Sequence, residues 1–226
     1  MMFRDRVDAG RRLATELAGY KGEDVVVLAL PRGGVPVAAE IASALDAPLD
    51  LVLVRKIGVP DQPELAMGAV VDGEVPLVVR IPQIIRSAGV DEATFERVVA
   101  AELAEIARRR QIYLGDRPRA RLAGRVVIVV DDGLATGATA KAALRAVKQQ
   151  DPKRLVLAIP VAAADSLADF AEEADAVVCP EPQQRLDAIG HYYDDFTQTS
   201  DEAVQAILAR CPAERAREGR GDAAGS

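Results

Sequence analysis

The chain has 226 residues, 50% of them hydrophobic and 28% charged, and its net charge at pH 7 is −7. This composition is typical of a globular protein with one sizeable core, and the acidic balance argues against non-specific binding to nucleic acid or anionic lipid. The longest apolar runs, at 25–31 and 126–130, are too short to cross a bilayer, and the charged first residues lack the apolar core of a signal peptide. We therefore expect a cytoplasmic protein with neither a membrane nor a nucleic acid as its partner.

Cysteine and histidine are scarce, which limits the chemistry to be considered. Cys179 and Cys211 show no metal-ligand spacing, and a reducing compartment is the default for so few cysteines. His191 is the single histidine. A histidine-based zinc site and a Ser-His-Asp triad are therefore disfavoured.

The first half of the chain alternates between helical and strand patterns. Apolar residues at helical spacing predict a helix over residues 3–17. The β-branched run Val25–Leu30 predicts a buried strand of a parallel sheet, followed by a helix over Val35–Leu45 and a second strand over Leu49–Val54. The glycines and prolines between residue 57 and about 80 predict a loop or a short hairpin.

The second half continues this alternation. The predicted elements are a long helix from Asp91 to about Tyr113, a strand over Val126–Val130, a helix with its apolar stripe at Ala140, Ala143, Leu144 and Val147, a strand over Leu155–Val161, a helix over Ser166–Glu173, a strand over Ala176–Cys179 and a helix from Asp201 to about Ala209. Such alternation predicts an α/β fold with a central, mainly parallel sheet flanked by helices. We expect one domain over residues 1–213, with 57–120 as an inserted segment that forms a small lobe, and a disordered tail over 214–226.

The segment from Val126 to Thr139 contains the most informative motif. A buried strand leads into two acids, Asp131 and Asp132, then into a loop rich in Gly, Ala and Thr, and then into a helix. Small residues let backbone N–H groups approach a ligand, and the helix N-terminus adds partial positive charge, so the loop predicts a phosphate cradle. The Thr136 and Thr139 hydroxyls can donate to phosphate oxygens, and the acids can accept from ribose hydroxyls or hold Mg²⁺. The motif therefore indicates a sugar phosphate; an acidic turn before a capped helix is the alternative.

This motif resembles the phosphoribosyl pyrophosphate (PRPP) binding motif of type I phosphoribosyltransferases, which is a hydrophobic strand, two acids and a Thr-Gly-x-Thr loop. The resemblance implies that the 5′-phosphate is wrapped by Thr136, Gly137, Ala138 and Thr139, with the preceding Ala135 as a further substrate-binding position. It implies that Asp131 and Asp132 hold the ribose hydroxyls and act in catalysis. It also implies Mg²⁺ as the cofactor, bridging ribose and pyrophosphate and bound by the same two acids directly or through water.

A second strand-to-loop junction, Pro31–Pro36, fits the same family. Gly33 and Gly34 let the backbone turn tightly against an anion, and Arg32 supplies a planar cation. In the family this is the position of the pyrophosphate loop, where a non-proline cis peptide is often found. A plain Gly-Gly turn is the alternative interpretation.

Two adjacent cations, Arg55 and Lys56, end the second predicted strand, where α/β proteins bind ligands. They resemble the basic residues that meet pyrophosphate in the family. The next segment, 57–75, corresponds to the family's flexible catalytic loop, which closes over PRPP and excludes water from a ribosyl cation. Glu64 in this segment is a candidate catalytic residue, as a proton acceptor or cation stabiliser. An exposed loop carboxylate is the alternative.

Together these segments make the chain similar to a subgroup of bacterial predicted phosphoribosyltransferases, over roughly residues 3–209. One position departs from the 6-oxopurine enzymes, which carry an acid four residues after the first acid of the motif. That acid contacts the purine and acts as a base, and its place is taken here by Ala135. Hypoxanthine and guanine are therefore disfavoured as acceptors, whereas adenine-type enzymes also carry Ala at this position.

Two further features carry less information. Seven arginines lie close together, at Arg108, Arg109, Arg110, Arg117, Arg119, Arg121 and Arg125. We interpret them as a solvated helix face and turn rather than as an anion patch or a nucleic-acid surface. The aromatic run Gly190–Phe196 could stack on a flat acceptor, but packing against the core is the favoured interpretation.

The motifs, together with the family that they resemble, imply a Mg²⁺-dependent enzyme. It would transfer the 5-phosphoribosyl group of PRPP to a nitrogen nucleophile, such as a nucleobase or related heterocycle, and release pyrophosphate. The second hypothesis is a regulatory protein of the same fold that binds PRPP or a nucleotide without turnover. A phosphotransfer or hydrolase site built on the acid pair is disfavoured, because the Asp-x-Asp start of an aspartyl-phosphate phosphatase is missing. The expected partners are PRPP, a small-molecule acceptor and a second copy of the chain in a homodimer.

Overall fold

A five-stranded parallel sheet forms the centre of the protein in the computed structural model, which describes residues 2–73, 75–135 and 137–213. In chain order the strands are β1 (Val25–Ala29), β2 (Leu49–Leu51), β3 (Val54–Val59), β4 (Gln62–Val71), β5 (Leu77–Arg80), β6 (Val126–Val130), β7 (Arg154–Ala158), β8 (Val161–Ala163), β9 (Ala176–Val178) and β10 (Glu181–Gln183). The helices are α1 (Arg6–Glu16), α2 (Gly34–Leu45), α3 (Pro82–Ser87), α4 (Glu92–Leu114), α5 (Ala138–Lys148), α6 (Ala164–Ala168) and α7 (Asp201–Arg210). The central sheet has the order β2-β1-β6-β7-β9, which confirms the predicted α/β fold. The predicted tail over 214–226 lies outside the described residues.

The two faces of the central sheet pack against different helices, because successive strand residues point to opposite sides. In β1, Val25, Val27 and Ala29 join a core with α1, α2, α4 and α7. Val26 and Leu28 join a second core with α5. Since both faces are covered, each position of the strand has to be apolar, and the unbroken apolar run is the result.

Short polar side chains begin three of the helices. Asp5 caps α1, Asp91 caps α4 and Ser200 caps α7, each by accepting a hydrogen bond from a backbone N–H in the first turn. The first helix therefore begins at Arg6, and Phe3, which the apolar pattern placed in the helix, pairs with another segment near residue 193. None of the helices in the described part of the chain is long and apolar enough to cross a membrane.

The segment predicted as a loop or short hairpin is a three-stranded antiparallel sheet with the order β3-β4-β5. β3 and β4 form a hairpin around Pro60 and Asp61, and β5 pairs with the other side of β4. Gly58 lies at a register shift in the hairpin, so it marks a bulge rather than a loop. The second predicted strand consequently ends at Leu51, and Val54 already belongs to this inserted sheet.

Other boundaries also differ from the predictions. The strand predicted over Leu155–Val161 is divided into β7 and β8 around Pro160, which has no N–H to donate to a ladder. The helix predicted over Ser166–Glu173 is the short α6, because bonds such as Phe170 N–H to the Leu167 carbonyl tighten the following turn. The short helix α3 was not predicted.

Three of the arginines between residues 108 and 125 do not belong to the predicted solvated face, whereas Arg108 and Arg121 are exposed. Arg110 donates to Asp72 at 2.9 Å and to Asp50 at 3.3 Å, and both carboxylates are buried. Arg119 donates to Asp72 at 2.6 Å, and Arg117 donates to three main-chain carbonyls. These residues join α4 and the following segment to the edge strand β2, so the prediction of a solvated face is wrong for them.

Replacing Arg110 tests this buried cluster. Arg110→Met should lower the free energy of unfolding by about 3 kcal/mol, because it leaves Asp50 buried without its cation while Arg119 still neutralises Asp72. The matched control is Arg108→Met on the same helix, whose side chain is 60% exposed and whose loss should cost less than about 0.5 kcal/mol. Urea unfolding followed by circular dichroism measures both, and equal stabilities of the two variants would contradict the assignment.

Candidate functional site

The carboxyl ends of β1 and β6 place two loops side by side. These strands are parallel neighbours and stay in register over their full length, so the loops that follow them leave the sheet at the same edge. The Leu30 N–H donates to the Val130 carbonyl at 2.9 Å, which extends the pairing beyond β1. The predicted pyrophosphate loop, 31–36, therefore lies against Asp131 and Asp132, the two acids of the predicted motif.

Gly33 lies directly against the second acid of the motif. A Cβ atom at this position would collide with the Asp132 carboxylate. The φ angle of Gly33 is −60°, which any residue can adopt, so close approach rather than backbone conformation requires glycine here. The peptide bond between Pro31 and Arg32 is cis, as the family resemblance implies.

Asp131 and Asp132 lie at the end of β6 with restricted access to solvent. Asp131 Oδ1 accepts from the Asp132 N–H at 2.9 Å, and Asp132 Oδ2 accepts from Arg6 Nε at 2.8 Å. Burial raises the pKa of Asp131 well above its usual value, and the charge of Asp132 raises it further. Burial also raises the pKa of Asp132, while the Arg6 guanidinium opposes this shift. The two carboxyls therefore bind protons more readily than exposed aspartates do.

A cluster of aromatic residues packs beside Asp132. The Tyr193 ring lies 5.3 Å from Phe3 and 4.9 Å from Phe196, between ring centroids, and the Tyr193 hydroxyl donates to the Asp132 carbonyl at 2.6 Å. The Arg6 guanidinium lies 4.0 Å from the centre of the Phe196 ring. Tyr193 is buried, so the structure confirms core packing as the role of this residue of the aromatic run. The participation of Arg6 was not predicted.

The predicted phosphate loop leads into α5, which begins at Ala138. Gly137 has a φ of +71°, a left-handed conformation that favours glycine, and a Cβ atom there would lie 2.7 Å from Phe170 Cζ. N–H groups in the first turn of a helix have no acceptor within the helix, and those of Ala138 and Thr139 belong to this turn. Thr136 lies outside the described residues.

Arg32, in the 31–36 loop, is oriented by two residues that were not predicted. Its Nη1 donates to Asp201 Oδ1 at 3.4 Å, and the Tyr113 hydroxyl donates to the same oxygen at 2.6 Å. Burial raises the pKa of Tyr113 to about 12, with the hydrogen bond to Asp201 adding to the shift, so the phenol keeps its proton. The same hydrogen bond lowers the pKa of Asp201. Asp201 is therefore charged at neutral pH and attracts the Arg32 guanidinium.

The adjacent cations at the start of β3 point to different partners. Arg55 Nε donates to Glu102 on α4 at 2.5 Å, whereas Lys56 Nζ donates to Glu64 Oε2 at 3.1 Å. The Glu64 side chain is 98% exposed on β4. No hydrogen bond or ion pair within the described ranges joins Glu64 to the acid pair. Glu64 is thus paired with Lys56, whereas Arg55 is paired with Glu102 on α4.

Lys56 and Thr139 line the same groove, between the inserted sheet and α5. The groove has a volume of about 390 Å³. Three more cations contribute to its lining, and these are Arg80, Lys141 and Arg145. The sequence gives no local signal for this arrangement, because β3 and α5 are far apart along the chain.

The carboxyl groups of Asp131 and Asp132 are the groups of this site that could bind a metal ion. Within residues 2–73, 75–135 and 137–213, no group of three or more His, Cys, Asp and Glu side chains is placed to hold a metal ion. Mg²⁺ commonly binds proteins through one or two carboxylates while waters and substrate phosphates complete its shell. Asp131 and Asp132 therefore fit a magnesium ion whose other ligands are waters and the phosphate oxygens of a substrate.

The phosphoribosyl transferase domain model matches residues 3–194, and the chain belongs to this family of enzymes. This membership confirms the resemblance to type I phosphoribosyltransferases. Two Mycobacterium tuberculosis proteins, from the CDC 1551 and H37Rv strains, carry the provisional name phosphoribosyl transferase. Each is 47% identical over 223 residues, which cover 99% of this chain and 50% of the relative, so the chain spans half the length of these relatives.

A solved structure is similar over almost the whole described chain. The crystal structure of TT1426 from Thermus thermophilus matches with 45% sequence identity and a TM-score of 0.78. The match covers 92% of this chain and 98% of the Thermus chain. The fold described above is therefore shared with a crystallised relative.

Adding a single methyl group at Gly137 tests the backbone geometry at the start of α5. Gly137→Ala should destabilise the protein by about 1–3 kcal/mol, because its Cβ is strained at positive φ and meets the Phe170 ring. Gly19→Ala is the control, since nothing lies within 4 Å of a Cβ there, and its effect should stay within about 0.5 kcal/mol. Urea unfolding measures the difference, and an unchanged midpoint for Gly137→Ala would contradict this loop geometry.

Proposed function

We propose that this protein transfers the 5-phosphoribosyl group of PRPP to a nitrogen nucleophile and releases pyrophosphate. The observation that carries the proposal is the contact of Gly33 with Asp132, which joins the 31–36 loop to the acid motif beside the start of α5. Cations, carboxyls and backbone N–H donors meet at this edge of the sheet. Membership in the phosphoribosyl transferase family supports the same class of reaction.

Each part of PRPP has a complementary group in this arrangement. The first turn of α5, with Thr139, suits the 5′-phosphate, because helix N-termini bind phosphate through backbone N–H groups and the helix dipole. The 31–34 backbone, with Arg32 and Lys56, suits the pyrophosphate. Asp131 and Asp132 suit the ribose hydroxyls, which donate to carboxyl oxygens.

The transfer breaks the bond between ribose C1 and a pyrophosphate oxygen, and that oxygen keeps the electron pair. A bond forms from the acceptor nitrogen to C1, and the nitrogen then loses its proton. The protein contributes by holding the reactants together and by placing Arg32 and Lys56 where negative charge develops on the leaving group. Glu64 is our candidate for accepting the proton, because hairpin closure over PRPP would carry it toward the substrate together with Lys56.

The carboxyl pair is also our proposed point of contact for Mg²⁺. When bound, such an ion would help to neutralise the charge of the leaving pyrophosphate. Asp131 and Asp132 would hold it directly or through water, and they would also accept from the ribose hydroxyls.

The acceptor is proposed to be a nitrogen heterocycle other than hypoxanthine or guanine. Ala135 occupies the position at which 6-oxopurine enzymes carry a base, and it is exposed in the loop after the acid pair. A methyl group cannot accept a proton or a hydrogen bond from a purine. An acceptor that relies on a carboxylate at this position is therefore disfavoured.

Removing both acids should abolish PRPP binding. Asp131→Asn with Asp132→Asn keeps the size of the side chains and removes the negative charge that receives the ribose hydroxyls and the metal. The control is Asp116→Asn with Asp187→Asn, which makes the same change of net charge at two exposed positions. Calorimetric titration with PRPP and Mg²⁺ measures binding, and circular dichroism checks the fold. Undiminished binding by the first variant would refute the site assignment.

Turnover is tested by pyrophosphate release from PRPP and Mg²⁺ in the presence of a panel of nucleobases. We expect release with at least one acceptor, and less with hypoxanthine and guanine than with that acceptor. Thermal stabilisation by PRPP without any pyrophosphate release would instead identify a regulatory PRPP-binding protein. Absence of both stabilisation and release would count against PRPP itself.

A further inference from the structure

An arginine at the start of α1 reaches the acid pair from the other end of the chain. Arg6 Nε donates to Asp132 Oδ2 at 2.8 Å, across 126 positions of sequence. The two side chains are only 11% and 13% exposed. An ion pair at this depth is screened much less by solvent and salt than a surface pair.

Further contacts fix the guanidinium of Arg6. Its Nη1 donates to the Thr197 carbonyl at 2.8 Å, and its guanidinium carbon, Cζ, lies 4.0 Å from the centre of the Phe196 ring. A planar guanidinium held at two edges and on one face has little rotational freedom. Arg6 therefore presents Nε to Asp132 in one orientation.

Asp132 is also held at its main chain and by the neighbouring 31–36 loop. The Tyr193 hydroxyl donates to the Asp132 carbonyl at 2.6 Å. Gly33 lies so close to the carboxylate that no side chain fits between them. The position of Asp132 is thus determined by α1, by the segment after β10 and by the 31–36 loop.

We propose that Arg6 is a positioning residue, which holds the Asp132 carboxylate in the orientation that accepts hydrogen bonds from the ribose hydroxyls of PRPP. This inference rests on the proposed function, since it takes PRPP as the ligand. A carboxylate with a fixed rotamer loses no side-chain freedom when the ligand binds, so prior orientation strengthens binding. Arg6 acts through Asp132 and does not contact the reacting atoms.

The first test compares PRPP binding by Arg6→Gln and by Arg4→Gln. Arg4 belongs to the same segment, but its side chain is 71% exposed and pairs with Asp8. The Kd for PRPP should rise about ten- to hundredfold in Arg6→Gln. Losses of this size are typical when a residue that orients a ligand-binding side chain is removed. The Kd should stay at the wild-type value in Arg4→Gln. With an acceptor present, KM for PRPP should rise in parallel while kcat changes little.

Unchanged or tighter PRPP binding by Arg6→Gln would overturn the inference, and tighter binding would make Arg6 a competitor of the ribose. Two milder variants keep the test decisive if Arg6→Gln does not fold. Arg6→Lys keeps the charge but loses the planar fork, and Phe196→Leu removes the ring beneath the guanidinium. Both should bind PRPP more weakly than the wild-type protein does, and wild-type affinity in both would also overturn the inference.

A crystal structure of ligand-free Arg6→Gln provides a readout that does not depend on PRPP. The Asp132 carboxylate should leave its wild-type rotamer, and an unchanged position would contradict a positioning role. The binding data separate the two proposals. A wild-type protein that binds no PRPP would refute the proposed function and this inference together, whereas wild-type binding matched by Arg6→Gln would refute this inference alone.

Discussion

The contact between Gly33 and the Asp132 carboxylate is the constraint on which the rest of the site depends. It exists because β1 and β6 are parallel neighbours in register, which brings the ends of both strands to the same point. Glycine allows the two loops to touch, so a cationic loop and an acidic loop share one edge of the sheet. The position of α5, directly after the acids, adds backbone N–H donors to the same edge. The pairing of β1 with β6 thus places a cation, two carboxyl groups and backbone N–H donors together.

Buried arginine–carboxylate pairs serve two different purposes in this chain. Arg110 pairs with Asp50 and Asp72, and Arg119 also pairs with Asp72, where the inserted sheet and α4 join the edge of the central sheet. Arg6 pairs with Asp132 inside the site itself. Breaking a buried pair leaves an uncompensated charge, so each pair resists displacement of the elements that it connects. The net charge of −7 describes neither place, because it is a sum over the whole chain.

Strands that are covered on both faces were the most predictable elements. Val25–Leu30 and Val126–Val130 have to be apolar throughout, and short unbroken apolar runs rich in valine and isoleucine are typical of buried parallel strands. The inserted sheet was predicted only as a loop or short hairpin, because Gly58 and Pro63 resemble loop residues, while its packing on α4 and α5 is a long-range effect. Arg6 and Asp201 could not be assigned to the site for a similar reason. Neither residue belongs to a local motif, and each reaches its partner only after the termini have packed against the sheet.

The amino-acid sequence by itself determined the α/β class, the acid motif at Asp131 and Asp132, and the glycine loop at 31–36, because each depends on residues that are adjacent in the chain. Only the tertiary structure decided that Gly33 touches Asp132, that Arg55 turns to α4 while Lys56 faces the groove, and that Arg6 holds the second acid. The physical reason is that ion pairs and close packing act between atoms near in space. Arg6 and Asp132, for example, are separated by 126 positions, a distance that periodicity and short motifs do not encode.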